Sequence, residues 1–273
     1  MTIKESMKRA SARLAESCER PQFEAELLLA YHLKKDRMYL ITHENDVLDD
    51  LEGYETLVDR RVKNEPYEYI VGSASFYDIH LEVQKGVLIP RPETEILIDL
   101  VSEIIEKEKI TKIAEIGVGS GAISIVLARK FPDLGIIATD ICETPLKVAG
   151  ENIGRFGLSD QIELRHSNLI DAVTEPVELV VSNPPYIAED FLLASNVADY
   201  EPKEALFGGR AGDELLKQII TDVKARGIKR LACEMGYDQK EPLSEFVNEI
   251  GVKSIAFYKD LAGFDRGFII EFL

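Results

Sequence analysis

Apolar residues recur at three- and four-residue spacings from Ile3 to about Arg61: Leu14, then Phe23, Leu27, Leu28 and Tyr31, then Leu48, Leu51, Leu57 and Val58. That period predicts amphipathic helices. Pro21 stands where the first turn of a helix tolerates a residue with no N–H. Residues 1–65 therefore read as a small helical bundle, near the lower size limit for independent stability and expected to pack on the remainder of the chain. No motif within it carries chemistry, so it reads either as a structural appendage or as a partner-recognition module.

The pattern changes at Pro66. Residues 69–72, 76–79 and 81–83 are short, β-branched and aromatic, with Gly and Ser between them, which predicts a β-hairpin linker over 66–88 with a boundary near Gly86. A third region, 89–273, alternates strands with helices. The prolines of Ile89-Pro-Arg-Pro-Glu-Thr-Glu95 hold the chain extended until a helix begins that buries Ile96, Leu97, Leu100, Val101, Ile104 and Ile105. Strands are predicted over 112–116, 134–139, 161–166, 177–181 and 230–234, and helices over 122–129, 213–225 and 239–250. The last two strands, 252–258 and 267–273, are joined by too short a segment for a helical crossover, so they are expected to be antiparallel. Between Ile187 and Gly212 the pattern is weak, and its anchoring aromatics suggest a lid.

Composition narrows the function. With 45% hydrophobic and 30% charged residues the chain is an ordinary globular protein. It carries 49 acidic against 32 basic residues, a formal net charge of -17, which disfavours phosphate attraction as the source of affinity and so disfavours free nucleic acid as partner. Cys18, Cys142 and Cys233 are isolated, and the four histidines are scattered, so neither a disulfide framework nor a metal site is indicated. No apolar stretch reaches the roughly 18–20 residues of a membrane span, and a cytoplasmic, monomeric protein is expected.

Candidate chemistry lies at strand ends. Glu115 closes one strand and is followed by the glycine loop Gly117-Val118-Gly119-Ser120-Gly121 and an apolar helix. Strand, glycine loop and helix make a nucleotide-type binding unit, and Asp140, ending the next strand, stands where a ribose hydroxyl pair would be held. The spacing is G-x-G-x-G, not the G-x-G-x-x-G that approaches a pyrophosphate, and Glu115 suits an ammonium group. Those features favour S-adenosylmethionine over NAD. Asn168 and Leu169, past a third strand, stand beside the expected adenine. Ser182-Asn183-Pro184-Pro185-Tyr186 follows a buried strand. The consecutive prolines remove two donors and stiffen the backbone, so the Asn183 side-chain oxygen and a main-chain carbonyl could receive both hydrogens of a planar –NH2 group, with Tyr186 stacked on it.

These segments, together with Tyr200-Glu-Pro202, Ala205-Leu-Phe-Gly-Gly209 and Asp260-Leu-Ala-Gly263 with Arg266, resemble the PrmC/HemK protein-glutamine methyltransferases from about Pro66 to Arg266. The resemblance implies an α/β, Rossmann-like class I S-adenosylmethionine-dependent methyltransferase fold, a seven-stranded sheet with its last strand pair antiparallel, preceded by a helical domain for release-factor recognition. It implies methylation of the side-chain amide (N5) of the glutamine in the Gly-Gly-Gln motif of class 1 peptide chain release factors. It assigns Asn183, Pro184, Pro185 and Tyr186 to the glutamine, and Glu115, Gly117 to Gly121, Asp140, Asn168, Leu169 and Asn183 to the cofactor. The family often has Asp in place of Asn168, and more often Asp than Glu at 115. The rival reading is an amino-group methyltransferase acting on adenine or cytosine in DNA or RNA, which needs the same clamp but also a basic face. A scaffold that merely retains the fold, and an NAD-dependent dehydrogenase, fit the motifs less well.

Overall fold

A computed structural model describes residues 1–273. It divides into two compact units, one formed by Met1–Ser73 with Leu193–Tyr200, the other by Ala74–Leu192 with Glu201–Leu273.

The first unit is helical: α1 (Ile3–Leu14), α2 (Pro21–Leu33), α3 (Arg37–Thr42), α4 (Leu51–Val62) and α5 (Tyr67–Val71). Thr2 and Glu5 form a reciprocal capping box at the start of α1, and Pro21 opens α2 as its spacing predicts. Leu14, Leu28, Leu29, Leu40, Tyr54 and Val58 fill the core. Residues 69–72 were expected to be extended. They form α5 and its cap instead, because Ile70 is buried in this helical core and Gly72, in the left-handed conformation, closes the turn. Packing overrides the β preference of an aromatic and β-branched run.

The hairpin is real but begins later, as β1 (Ser73–Phe76) and β2 (Ile79–Glu82). It is no linker. Phe76, Ile79 and Leu81 belong to the core of the second unit, and Asn152 holds β2 by accepting from Glu82 N–H (2.8 Å) and donating to Glu82 C=O (3.0 Å). By its contacts the chain passes between the two units after Ser73, after Leu192 and after Tyr200.

The second unit continues with α6 (Thr94–Glu108), β3 (Lys112–Ile116), α7 (Ala122–Lys130), β4 (Gly135–Asp140), α8 (Glu143–Arg155), β5 (Ile162–His166), β6 (Leu179–Ser182) and β7 (Ile187–Ala188). Leu193–Tyr200, containing α9 (Ser195–Ala198), belongs to the helical unit. Then come β8 (Phe207–Gly209), α10 (Glu214–Ala225), β9 (Arg230–Glu234), α11 (Lys240–Ile250), β10 (Ser254–Lys259) and β11 (Asp265–Glu271). Seven strands form one sheet in the order β10-β11-β9-β6-β3-β4-β5. β10 and β11 are antiparallel, as the short connection requires, and the other five strands run parallel. Leu97, Ile98, Val101 and Ile105 of α6 join Ile125 of α7 and Ile153 of α8 in one core layer. Leu216, Ile219 and Ile220 of α10 join Leu243 and Val247 of α11 in the other. Ile98 takes the place predicted for Ile96 and Leu100, which are only half-buried.

The stretch 187–212 is more ordered than its pattern suggests. β7 and β8 pair in parallel, and a Cβ on Gly208 would stand 2.5 Å from the Pro185 carbonyl and closer still to that of Gly212. Short range and glycine content, not lack of structure, hid these strands from the period-2 pattern.

Candidate active site

The parallel register brings the site together. Ile116, Ser182 and Cys233 are paired neighbours on β3, β6 and β9, and Ile116 also pairs with Thr139 on β4. One residue further along, Gly117, Asn183, Glu234 and Asp140 therefore emerge side by side at the carboxyl edge of the sheet. β4 and β5 lie to one side of β3, and β6, the next strand in the chain, to the other. This reversal opens the crevice in which α/β sheets bind ligands.

A cavity of about 240 Å³ occupies that crevice, walled by Gly117, Gly119, Asp140, Asn168, Leu169 and Asn183 among others. Asp140 accepts Gly119 N–H at 3.2 Å and Cys142 N–H at 3.0 Å, one at each oxygen, which leaves lone pairs for a vicinal diol. Burial pushes its pKa up, opposed by those amide hydrogen bonds. Leu169 has φ 48°, and its carbonyl receives the Thr139 hydroxyl at 2.9 Å. Asn168 is exposed at the rim. A smaller cavity of about 50 Å³ shares Gly117, Gly119 and Asn183 and adds Arg91, Thr94, Glu115, Val118 and Ser120. Glu115 is fully buried and accepts both the N–H and the hydroxyl of Ser124, so it also anchors the start of α7. Burial pushes it up to about 8 despite those bonds. Gly121 lines neither cavity. Its Cβ would stand 3.1 Å from Ile125 and 3.6 Å from Ala149, so the missing side chain admits α8 against α7.

At the other end, Pro184 and Pro185 line the larger cavity with Asn183. Asn183 Nδ2 donates to Thr94 Oγ1 at 2.9 Å, leaving Oδ1 as the side chain's open acceptor. Tyr186 departs from expectation. Its ring packs against the core beneath α10 and α11, and its hydroxyl meets Arg266, so it lines neither cavity. Its carbonyl accepts from Gln239 Nε2 at 2.8 Å. Arg91 Nη2 meets Glu201 Oε1, and Glu201 Oε2 accepts Ile89 N–H at 3.3 Å.

Comparison with known proteins agrees with this geometry. Residues 5–72 match the PrmC N-terminal domain family and residues 93–198 the methyltransferase small domain family. A release factor glutamine methyltransferase of Clostridium botulinum is 39% identical over 256 residues, covering 90% of each chain. One from Dictyoglomus turgidum is 43% identical over 252 residues, covering 89% of this chain and 88% of that protein. This chain belongs to the release factor glutamine methyltransferase family. Solved structures share the fold at low identity. The hMettl16 catalytic domain in complex with a MAT2A 3'UTR hairpin has TM-score 0.59 and 18% identity, covering 71% of this chain and 75% of that one. The N-terminal domain of human METTL16 in complex with SAH has TM-score 0.53 and 20% identity over the same shares.

The cofactor of this glutamine methyltransferase is S-adenosylmethionine, and the residues present fit it: a buried carboxylate with free lone pairs, glycines beside the cavity, and a second carboxylate at Glu115. No helix is long and apolar enough to cross a membrane. Two buried groups at the methyltransferase site had no separate role in the sequence reading. Thr94 lies inside the R-P-E-T-E segment, and Glu234 ends an otherwise apolar strand, a signal visible in the sequence. Burial pushes Glu234 up to about 7, opposed by the neighbouring Thr94 hydroxyl and the charges of Arg266 and Arg91.

Proposed function

We propose that this chain performs its family's reaction, methylation of the side-chain amide nitrogen (N5) of the Gly-Gly-Gln glutamine in a class 1 peptide chain release factor, through the residues at the carboxyl edge of its sheet. The observation that carries this reading is the Asn183 side chain, held by Thr94 so that Oδ1 is free beside two consecutive prolines at the cavity wall.

An amide nitrogen is a poor nucleophile because its lone pair is delocalised into the carbonyl. S-adenosylmethionine, when bound, supplies a methyl group already activated on a sulfonium. The chain's task is then to orient the nitrogen. Asn183 Oδ1 and the Pro184 carbonyl accept the two N–H groups, which directs the lone pair along the cavity, and oriented acceptors of this kind act with little reorganisation. When the cofactor is bound, Asp140 would hold the ribose hydroxyls, Gly117 and Gly119 would give backbone room, Glu115 would face the ammonium, and Asn168 and Leu169 would flank the adenine. The proton lost from nitrogen leaves with solvent. The enzyme acts as a single chain in the cytoplasm, on protein and not on nucleic acid, in keeping with its net charge of -17.

The test is transfer of labelled methyl to a purified release factor, with a Gly-Gly-Gln Gln→Ala variant, DNA and ribosomal RNA in parallel. Label on the normal factor alone is expected. Label on nucleic acid alone would overturn the protein-substrate reading.

A further inference from the structure

We propose that Gln239 is a positioning residue for methyl transfer: by holding the Tyr186 carbonyl it fixes the course of the Pro184-Pro185 segment, and so the direction of the Pro184 carbonyl. This rests on the reading of Asn183 to Tyr186 as the clamp for the glutamine amide. The need for such a residue follows from the prolines. Pro184 and Pro185 have no N–H, so neither can anchor the segment by donating a hydrogen bond. Their rings fix φ, but ψ remains free to turn, and ψ of Pro184 sets where its carbonyl points.

The segment is held at its two ends. Asn183 Nδ2 donates to Thr94 Oγ1 at 2.9 Å, and Ile187 N–H, at the start of β7, donates to the Leu206 carbonyl at 2.9 Å. Between them Gln239 Nε2 donates to the Tyr186 carbonyl at 2.8 Å, and Gln239 Oε1 accepts Gly236 N–H at 2.8 Å. Both partners are main-chain groups with a single role: an amide N–H only donates and a carbonyl only accepts. They leave the Gln239 amide one orientation, so the bond to Tyr186 does not depend on the protonation of any neighbour.

A second observation is what Gln239 does not do. It stands at the N-cap of α11, where a side chain ordinarily accepts an N–H from the first turn of its helix, yet its side chain makes no such bond. It turns back against Gly236 instead, where a Cβ would stand 3.2 Å from Gln239 Oε1. Gln239 is 5% exposed, so its amide is withdrawn from water and the loss of either bond would leave a buried group unpaired. The residue lines neither cavity. Its effect on the site runs through the main chain of residues 184–186.

Steady-state kinetics with a release factor, together with cofactor binding, test this in Gln239→Met, Gln239→Glu and Asn183→Ala, at a temperature where circular dichroism shows each variant folded. Gln239→Met keeps the length and removes both hydrogen-bonding ends. Its kcat should fall about tenfold or more, as expected for a misaligned reacting group. KM for the release factor, a large substrate of which the amide is a small part, and Kd for S-adenosylmethionine should stay close to those of the original enzyme. Gln239→Glu still accepts Gly236 N–H but, when ionised, sets oxygen against the Tyr186 carbonyl, and its kcat should fall at least as far. A purely structural role would lower Tm in both variants and leave kcat of the folded enzyme unchanged. That result, with Asn183→Ala inactive, would overturn the positioning role while leaving the clamp intact. Loss of cofactor affinity in step with kcat would indicate general disruption of the site and also overturn it. Full activity of Asn183→Ala would instead remove the underlying reading, and the inference with it. If Gln239→Glu fails to fold, Gln239→Met decides by the same criteria.

Discussion

Arg91 Nη2 lies 2.5 Å from Glu201 Oε1, across 110 residues of sequence. The contact ties the R-P-E-T-E segment before α6 to the Y-E-P segment before β8, and both segments contribute to cavity walls, through Arg91 in one case and Pro202 in the other. The Glu201 side chain is 2% exposed and that of Arg91 32%, so the carboxylate depends on this partner more than the guanidinium does. Arg91→Ala would leave Glu201 with the Ile89 N–H alone. A loss of roughly 1–3 kcal/mol is expected, the range for an unsatisfied buried group. Urea denaturation measures it. Glu201→Gln, which keeps an acceptor without a stranded charge, should cost less, and the reverse order would refute the account.

Asp140→Asn keeps size and removes charge. It should weaken S-adenosylmethionine binding by about 1.5–3 kcal/mol, as for hydrogen bonds to an ionised group. Calorimetric titration reads this directly, and an unchanged dissociation constant would rule out the ribose role.

Gly208→Ala places a Cβ against the carbonyls of Pro185 and Gly212, both backbone atoms that cannot swing aside. The prolines that carry the acceptor carbonyl must move. Turnover should collapse, and thermal stability should fall with it. Normal kcat would show that the Gly208 contact is not needed to shape the acceptor segment.

The buried carboxylates predict a pH dependence of stability. Glu115 is raised to about 8 and Glu234 to about 7 from an ordinary 4.5. Between those limits the folded chain keeps protons that the unfolded chain has released, so stability falls as pH rises. Their contribution is fully present below pH 4.5 and is gone by about pH 8. Without cofactor, Glu115→Gln should therefore gain Tm relative to the original chain as pH rises from 5 to 8, an interval within that window. A difference in Tm that stays constant over the interval would contradict the burial of Glu115 in its charged form as the cause.

Much of this was legible in the chain because it depends on local chemistry. The strand ending at Glu234, the glycine loop and the antiparallel final pair follow from period, turn residues and connection length. The helix at 67–71 did not, since its identity is decided by Ile70 finding a helical core far away in sequence. Tyr186 was misplaced for a related reason: an aromatic next to a polar clamp looks like a stacking platform until its neighbours, here Arg266 and the α10–α11 core, claim it.

The assignment of Leu193–Tyr200 to the helical unit bears on how such a protein can be taken apart, by evolution or by the experimenter. The chain passes from one unit to the other at Ser73, at Leu192 and again at Tyr200, whose hydroxyl is bonded to the Lys63 carbonyl at 2.8 Å. Removing the first 73 residues would strand Tyr200 immediately before Glu201. The helical unit is thus no detachable module, and recombination that exchanged it would also have to exchange a segment spliced into the middle of the catalytic half.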